Sequence, residues 1–235
     1  MSLNPELQEK IAAAQNLLLA IAGDYSPAAF ANSFGAEDMV LTDLICGHAP
    51  DIEIFTLDTG RLPAETYALM QQTLQRYGNR IVPYFPEHRD VEQYLREYGP
   101  NAFYDSVDLR KRCCYIRKVE PLQRALQGKK AWLTGLRREQ APTRTDLKVK
   151  EWDAGNGLQK FNPLIEWSHE DIWEYIRHFA VPYNALHDQH YPSIGCAPCT
   201  RAISVGEDIR AGRWWWENPA GKECGLHVKK SVAHA

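Results

Sequence analysis

Apolar positions recur at two periods along the chain. Leu7, Ile11, Ala14, Leu18 and Ile21 fall on one stripe at 3.6-residue spacing, so residues 5–22 predict an amphipathic helix that Gly23-Asp24 ends. The apolar run Ala28–Ser33 predicts a buried strand, and Phe34-Gly35-Ala36-Glu37-Asp38 turns from it into a second helix carrying Met39, Leu41, Leu44 and Ile45. Ile52–Leu57 is a second strand ending in the turn Asp58-Thr59-Gly60-Arg61, and Pro63 suits the first turn of a helix reaching about Tyr77. Ile81–Phe85 reads as a third strand, placed at a sheet edge by its prolines. A helix around Asp90–Tyr98, another over 115–126 and a fourth strand over Ala131–Leu136 follow. Strands alternating with helices predict an α/β fold, a doubly wound, mostly parallel sheet.

After about Lys148 the pattern loosens. Asp153–Gly157 predicts a hairpin turn, and Ser168 with Asp171 predicts a capped helix running to about Phe179. Pro182, Pro192 and Pro198 divide the following loops, and a last helical stretch is expected around Trp214-Trp215-Trp216. The expected organisation is one domain over residues 1–235, with a loop-rich C-terminal segment and a tail from about 217.

Composition changes this picture little. Hydrophobic content of 44%, charged content of 24% and a net charge of −3 describe an ordinary globule and give no reason to expect nucleic acid or membrane as partner. The N-terminal residues lack the basic region of a signal peptide, which makes the cytoplasm the expected compartment. Thiols stay reduced there, so clustered cysteines read as metal-binding or catalytic.

The chemistry is concentrated in a few stretches. Lys111-Arg112-Cys113-Cys114-Tyr115-Ile116-Arg117-Lys118 pairs two adjacent cysteines with four cations, and Cys196-Ala197-Pro198-Cys199 supplies two more thiols. Four thiolates suit one zinc ion or one iron–sulfur cube. Adjacent cysteines on a helix diverge by about 100°, which favours the wider cube over a single ion. Cys46 ends an apolar pattern and reads as a packing residue. Cys224, in the tail Lys222-Glu223-Cys224-Gly225-Leu226-His227, is a candidate nucleophile beside cations that increase its thiolate fraction. Ligands of such sheets bind beyond the C-terminal strand ends. The turns Ser33–Asp38, Asp58–Arg61 and Gly135–Arg144 are therefore candidate contacts, with Asp58 a candidate acceptor from ribose or adenine. Arg137, Arg138 and Arg144, joined by Arg201, Arg210 and Arg213, are candidate clamps for phosphate or sulfate. His169 and His187 are unremarkable by position.

These stretches, from Ser33-Phe34-Gly35-Ala36-Glu37-Asp38 to the Glu-Cys-Gly-Leu-His tail, resemble the assimilatory sulfonucleotide reductases. The double cysteine combined with Cys-x-x-Cys is similar to the iron–sulfur adenylyl sulfate (APS) reductases. The resemblance implies the adenine nucleotide α-hydrolase-like fold and a [4Fe-4S] cluster on Cys113, Cys114, Cys196 and Cys199. It implies APS bound by Ser33, Phe34, Gly35, Asp38, Asp58 and Gly60 together with Lys118, Arg137, Arg144, Arg210 and Arg213. It further implies attack by Cys224 on sulfate sulfur, then release of sulfite by thioredoxin or glutaredoxin acting in trans. Homo-oligomerisation stays open. The alternatives are a PAPS reductase, which lacks the four cluster cysteines, and a tRNA-thiolating enzyme of the ATP pyrophosphatase type. Against the latter, the Ser33 turn has no Ser-Gly-Gly-x-Asp-Ser pattern.

Overall fold

A computed structural model describes residues 3–140 and 147–217. Arg144 and Cys224 lie outside the described residues.

The first helix, α1 (Pro5–Asp24), starts where Asn4 accepts the Glu6 N–H and Pro5 occupies a position that needs no donor. Its buried stripe is the expected one: Leu7, Ile11, Ala14, Leu18 and Ile21. Strand β1 (Ala28–Ala31) leads to α2 (Ala36–His48), β2 (Glu53–Leu57) to α3 (Ala64–Tyr77), and β3 (Ile81–Tyr84) to α4 (His88–Tyr98). Helix α5 (Val107–Cys114) passes through a π-helical turn, Tyr115–Val119, directly into α6 (Glu120–Leu126), so one helical rod replaces the expected helix over 115–126. Strand β4 (Ala131–Leu133), the hairpin β5 (Lys150–Asp153) and β6 (Leu158–Phe161), and α7 (His169–Phe179) complete the regular elements. Helix α7 begins with the expected capping box of Ser168 and Asp171.

The strand order is β3-β2-β1-β4-β6-β5. All neighbouring pairs are parallel except β5–β6, which is antiparallel. Strand β3, with Pro83, lies at an edge as its proline predicts.

Both faces of the sheet are covered, as parallel sheets require. Ala28 and Phe30 of β1, Ile54 of β2, and Ala131 and Leu133 of β4 pack with α1, α2 and α7 in the larger core. The intervening Ala29, Phe55 and Trp132 point the other way and pack on Leu122, Ala125 and Leu126 of α6. The two-residue alternation thus splits each strand between two cores. Cys46 packs half-buried against the larger one, as its apolar setting implied.

Residues 214–216 are not helical. Trp214 adopts φ 41°, and Arg213 pairs with Thr200 in an isolated antiparallel bridge. Trp214 is buried, Trp215 is exposed, and Trp216 meets Tyr104 edge-on with ring centroids 4.5 Å apart. No helix among the described residues is long and apolar enough to cross a membrane.

Candidate active site

The chain runs from β1 outward to β2 and β3, then returns to place β4 on the other side of β1. The strand order therefore reverses between β1 and β4, and a crevice opens at that point beyond the strand ends. A cleft of about 320 Å³ occupies it, walled by Ser33, Gly35 and Asp38 on one turn and by Thr134, Gly135 and Leu136 on the other.

Asp38 ties the two turns together. Its Oδ2 accepts from the Ser33 N–H at 2.7 Å and the Ser33 hydroxyl at 2.6 Å, and its carboxylate also takes a backbone bond from Gly135. A Cβ on Gly135 would press into that carboxylate, 3.3 Å from its Cγ, so glycine is required for the close approach. Burial pushes the Asp38 carboxyl up to about 6 despite these donors. The anion-binding donors expected of Ser33 are thus engaged within the protein. Phe34 is not in the cleft: at φ 61° its side chain turns into the larger core and is 1% exposed.

Cations also line the cleft. Lys118, Arg210 and Arg213 all border the cleft. Among the described residues the Arg213 guanidinium makes only long hydrogen bonds, 3.4 Å from Nη1 to the Ser193 hydroxyl and to the Ile194 carbonyl, and its buried Nε has no partner. Arg210 and Arg213 reach the cleft from turns rather than from one helical face. Arg137 also borders the cleft, but its guanidinium is taken. It donates to Glu37 at 2.9 Å, Glu139 at 3.4 Å and the Trp167 carbonyl at 3.3 Å, and it is 4% exposed. Arg138 pairs with Glu166 outside the cleft.

The two cysteine pairs meet beside these cations. Cys113 and Cys114 end α5, and a short 3-10 turn, Ala197–Cys199, carries the second pair. Their thiols act on one another. Burial pushes Cys113 up, and a charged Cys196 adds to it. Burial, then Cys196 and Cys114, push Cys199 up to about 12. Cys196 is also buried, but Lys118, the Thr59 hydroxyl, Arg213 and Arg117 outweigh that and hold its thiol below the ordinary range. Among the described residues no three His, Cys, Asp or Glu side chains close on a single metal ion. Four mutually perturbing thiols faced by cations are a donor set suited to a thiolate-bound metal group.

The Asp58–Arg61 turn packs against the cysteine loop. Asp58 is buried outside the cleft lining, and its Oδ1 accepts from the Gly60 N–H at 2.8 Å and the Tyr67 hydroxyl at 2.9 Å. Gly60 adopts φ 68°, which favours glycine, and also lies outside the lining. Thr59 Oγ1 lies 3.3 Å from Cys196 Sγ, the Ala197 N–H donates to the Arg61 carbonyl at 2.8 Å, and Arg117 donates to the Thr59 carbonyl at 2.6 Å. Thr59 also borders the cleft, so this turn joins the two sites. The reason is topological: the β2 end lies one strand away from the reversal between β1 and β4.

Sequence reasoning missed several residues. His169, Trp173 and His187 line the cleft from α7 and the loop after it. Burial holds His187 below its usual range, and its buried Nε2 has no partner among the described residues. Nothing in the spacing of either histidine signals this. Arg110, fully buried, pairs with Glu217 at the last described position; only its place in a basic stretch hinted at a role.

A parallel sheet with a cation-walled crevice at its reversal point defines an anionic-nucleotide-binding α/β domain, here joined to a four-thiol set. The chain belongs to the phosphoadenosine phosphosulfate reductase domain family, which it matches over residues 27–202. It is 57% identical to the adenosine 5'-phosphosulfate reductase of Allochromatium vinosum over 95% of this chain and 88% of that protein. Identity to the enzyme of the same name from Burkholderia cepacia is 51%, over 97% and 91% of the two chains. The crystal structure of the phosphoadenylyl-sulfate reductase of Candida auris, a phosphate complex, superposes with a TM-score of 0.70 at 28% identity, covering 86% of this chain and 99% of that one.

Proposed function

We propose that this protein reduces adenosine 5'-phosphosulfate to sulfite and AMP in assimilatory sulfate reduction, with a dithiol protein of the thioredoxin or glutaredoxin class as electron donor. The carrying observation is the convergence of Lys118, Arg210 and a poorly satisfied Arg213 on a crevice whose lining residue Thr59 contacts Cys196. Cations lining the crevice suit the phosphosulfate, and its place at the strand ends suits the nucleoside.

The nucleophile is the thiolate of Cys224. It attacks the sulfate sulfur, the bond from sulfur to the bridging oxygen breaks, and AMP leaves with that oxygen and the electron pair. The product is an S-sulfocysteine on the protein. A thiolate of the dithiol partner then attacks the Cys224 sulfur and expels sulfite. The partner's second thiol resolves the mixed disulfide, which returns Cys224 and leaves the partner oxidised. A thiolate approaching an anionic group meets repulsion, and the cations lower that barrier where the charge concentrates. Cys113, Cys114, Cys196 and Cys199 would hold a [4Fe-4S] cluster, whose chemistry here is structural and electrostatic. The dithiol supplies both electrons.

The test is stoichiometric. Anaerobically purified protein should carry about four irons per chain, be lost of them on replacement of any one of the four ligands, and keep them in Cys46→Ala. Mixing with adenosine 5'-phosphosulfate, without partner, should release one equivalent of AMP and add one SO3 group to the peptide containing Cys224. Reduced thioredoxin should then remove that mass as sulfite. Mass appearing on another cysteine, or native-rate sulfite formation in Cys224→Ser, would refute the mechanism. Preference for the 3'-phosphorylated substrate would refute the substrate assignment.

A further inference from the structure

Gly195 immediately precedes Cys196, yet its backbone is not in the left-handed region that would demand glycine. The missing side chain matters for another reason. The space a Cβ would fill is occupied by the Arg213 guanidinium, whose Cζ would stand 2.6 Å and whose Nη1 would stand 3.1 Å from that carbon. Arg213 lies across the chain at Gly195, while its Cζ also stands 4.8 Å from the ring centroid of Trp214. Trp214 is itself fixed: it is buried, and Arg110 stands 4.7 Å from the same ring centroid. No carboxylate among the described residues pairs with Arg213, and its two polar contacts are at the 3.4 Å limit. Packing, and not hydrogen bonding, therefore sets the direction of this guanidinium.

We propose that Gly195 is a positioning residue for substrate: its bare backbone and the Trp214 ring form the seat that aims Arg213 at the anionic group in the cleft. The inference rests on the anion reading of the cleft given above. A methyl group at 195 meets only the far end of a flexible side chain, so the chain accommodates it by displacing the guanidinium and leaving its own backbone in place. Gly195→Ala thus removes what Arg213 does while leaving Arg213 present. A glycine serving only the turn into the cysteine loop would behave differently, because its replacement would disturb the thiols whatever stands at 213.

The experiment is a double-mutant cycle on binding, with adenosine 5'-phosphosulfate titrated calorimetrically into protein carrying Cys224→Ser to prevent turnover. Arg213→Ala should weaken binding roughly tenfold to a hundredfold, the range for losing a charge-assisted hydrogen bond. Gly195→Ala should weaken it to a similar degree with iron content unchanged. The double variant should match Arg213→Ala within about twofold, since truncating Arg213 empties the space the methyl group needs. Binding by Gly195→Ala at the parent affinity, or multiplicative losses in the double variant, would overturn the proposal. If Gly195→Ala loses iron or fails to fold, recovery of both in the double variant supports the contact and lack of recovery overturns it. Unchanged binding in Arg213→Ala would reject the anion reading of the cleft, and the inference with it.

Discussion

Replacing Glu217 by alanine removes the carboxylate partner of a buried guanidinium. Arg110 is 0% exposed and the Glu217 side chain 4% exposed, and the two meet in a fork: Nε to Oε1 at 2.8 Å and Nη2 to Oε2 at 2.7 Å. Burial alone would lower the Arg110 pKa, but the Glu217 carboxylate outweighs it and the group is held above its ordinary value. The arginine therefore cannot escape the loss by giving up its proton. Removing one member of a buried pair costs about 3–5 kcal/mol. At about 2–4 °C per kcal/mol for a chain of this length, the melting temperature should fall by roughly 6–20 °C. Urea unfolding of Glu217→Ala should show a lower midpoint at unchanged slope. Replacing the pair together, as Arg110→Met with Glu217→Leu, removes both desolvated charges and should recover most of the loss. A cost under about 1 kcal/mol in the single variant, or a double variant no better than the single, would show that the fork contributes little. The pair matters beyond stability because Arg110 also bonds Cys114. Glu217 lies seven positions before Cys224, a stretch of at most about 25 Å. The last described residue before the proposed nucleophile thus lies beside the cysteine set.

Two further outcomes follow from the cleft. Asp38 is raised from 3.8 to about 6 in the folded protein, so its favourable contribution is fully present below about pH 4 and is lost as pH rises through 6. That shift corresponds to roughly 3 kcal/mol, and wild-type stability relative to Asp38→Asn should fall across this window; a flat difference would reject the buried-acid assignment. Lys118→Ala should retain iron and lower kcat/KM roughly tenfold to a hundredfold, since it removes a cation from the cleft wall; loss of iron would make the lysine structural.

Local periodicity carried most of the fold. The α1 stripe, the Ser168 cap and the edge position of Pro83 are short-range properties, readable from a few neighbours. Helix α5 was harder. Its cap is Ser106, which accepts the Leu109 N–H, but the residues after it are polar and give no apolar stripe. The stretch at 214–216 misled for the opposite reason. Aromatic and basic residues there have helical spacing, yet Arg110 and Glu217, far apart in sequence, enclose Trp214 in a turn. The cysteine set was legible because adjacent cysteines among charges are unusual. The contact of the Asp58–Arg61 turn with the cysteine loop was not, because strand order is a long-range fact: several strand-end turns look alike in sequence, but the order reverses between β1 and β4.

The rod from Val107 to Leu126 shows how one local feature serves both sites. Pro121 sits inside it without an N–H and with a ring that conflicts with the carbonyl four residues back, that of Arg117. An unbroken α-helix would be kinked there. Instead the preceding turn widens, and the Glu120 N–H bonds the Tyr115 carbonyl five residues back. Widening turns each residue through a smaller angle than the 100° of an α-helix, so the directions of Arg117 and Lys118 shift relative to Cys113 and Cys114. Arg117 can then bond Thr59 beneath the cysteine loop while Lys118 borders the cleft. The proline accounts for the π turn, and the π turn accounts for a single helix presenting two thiols to one site and a cation to the other.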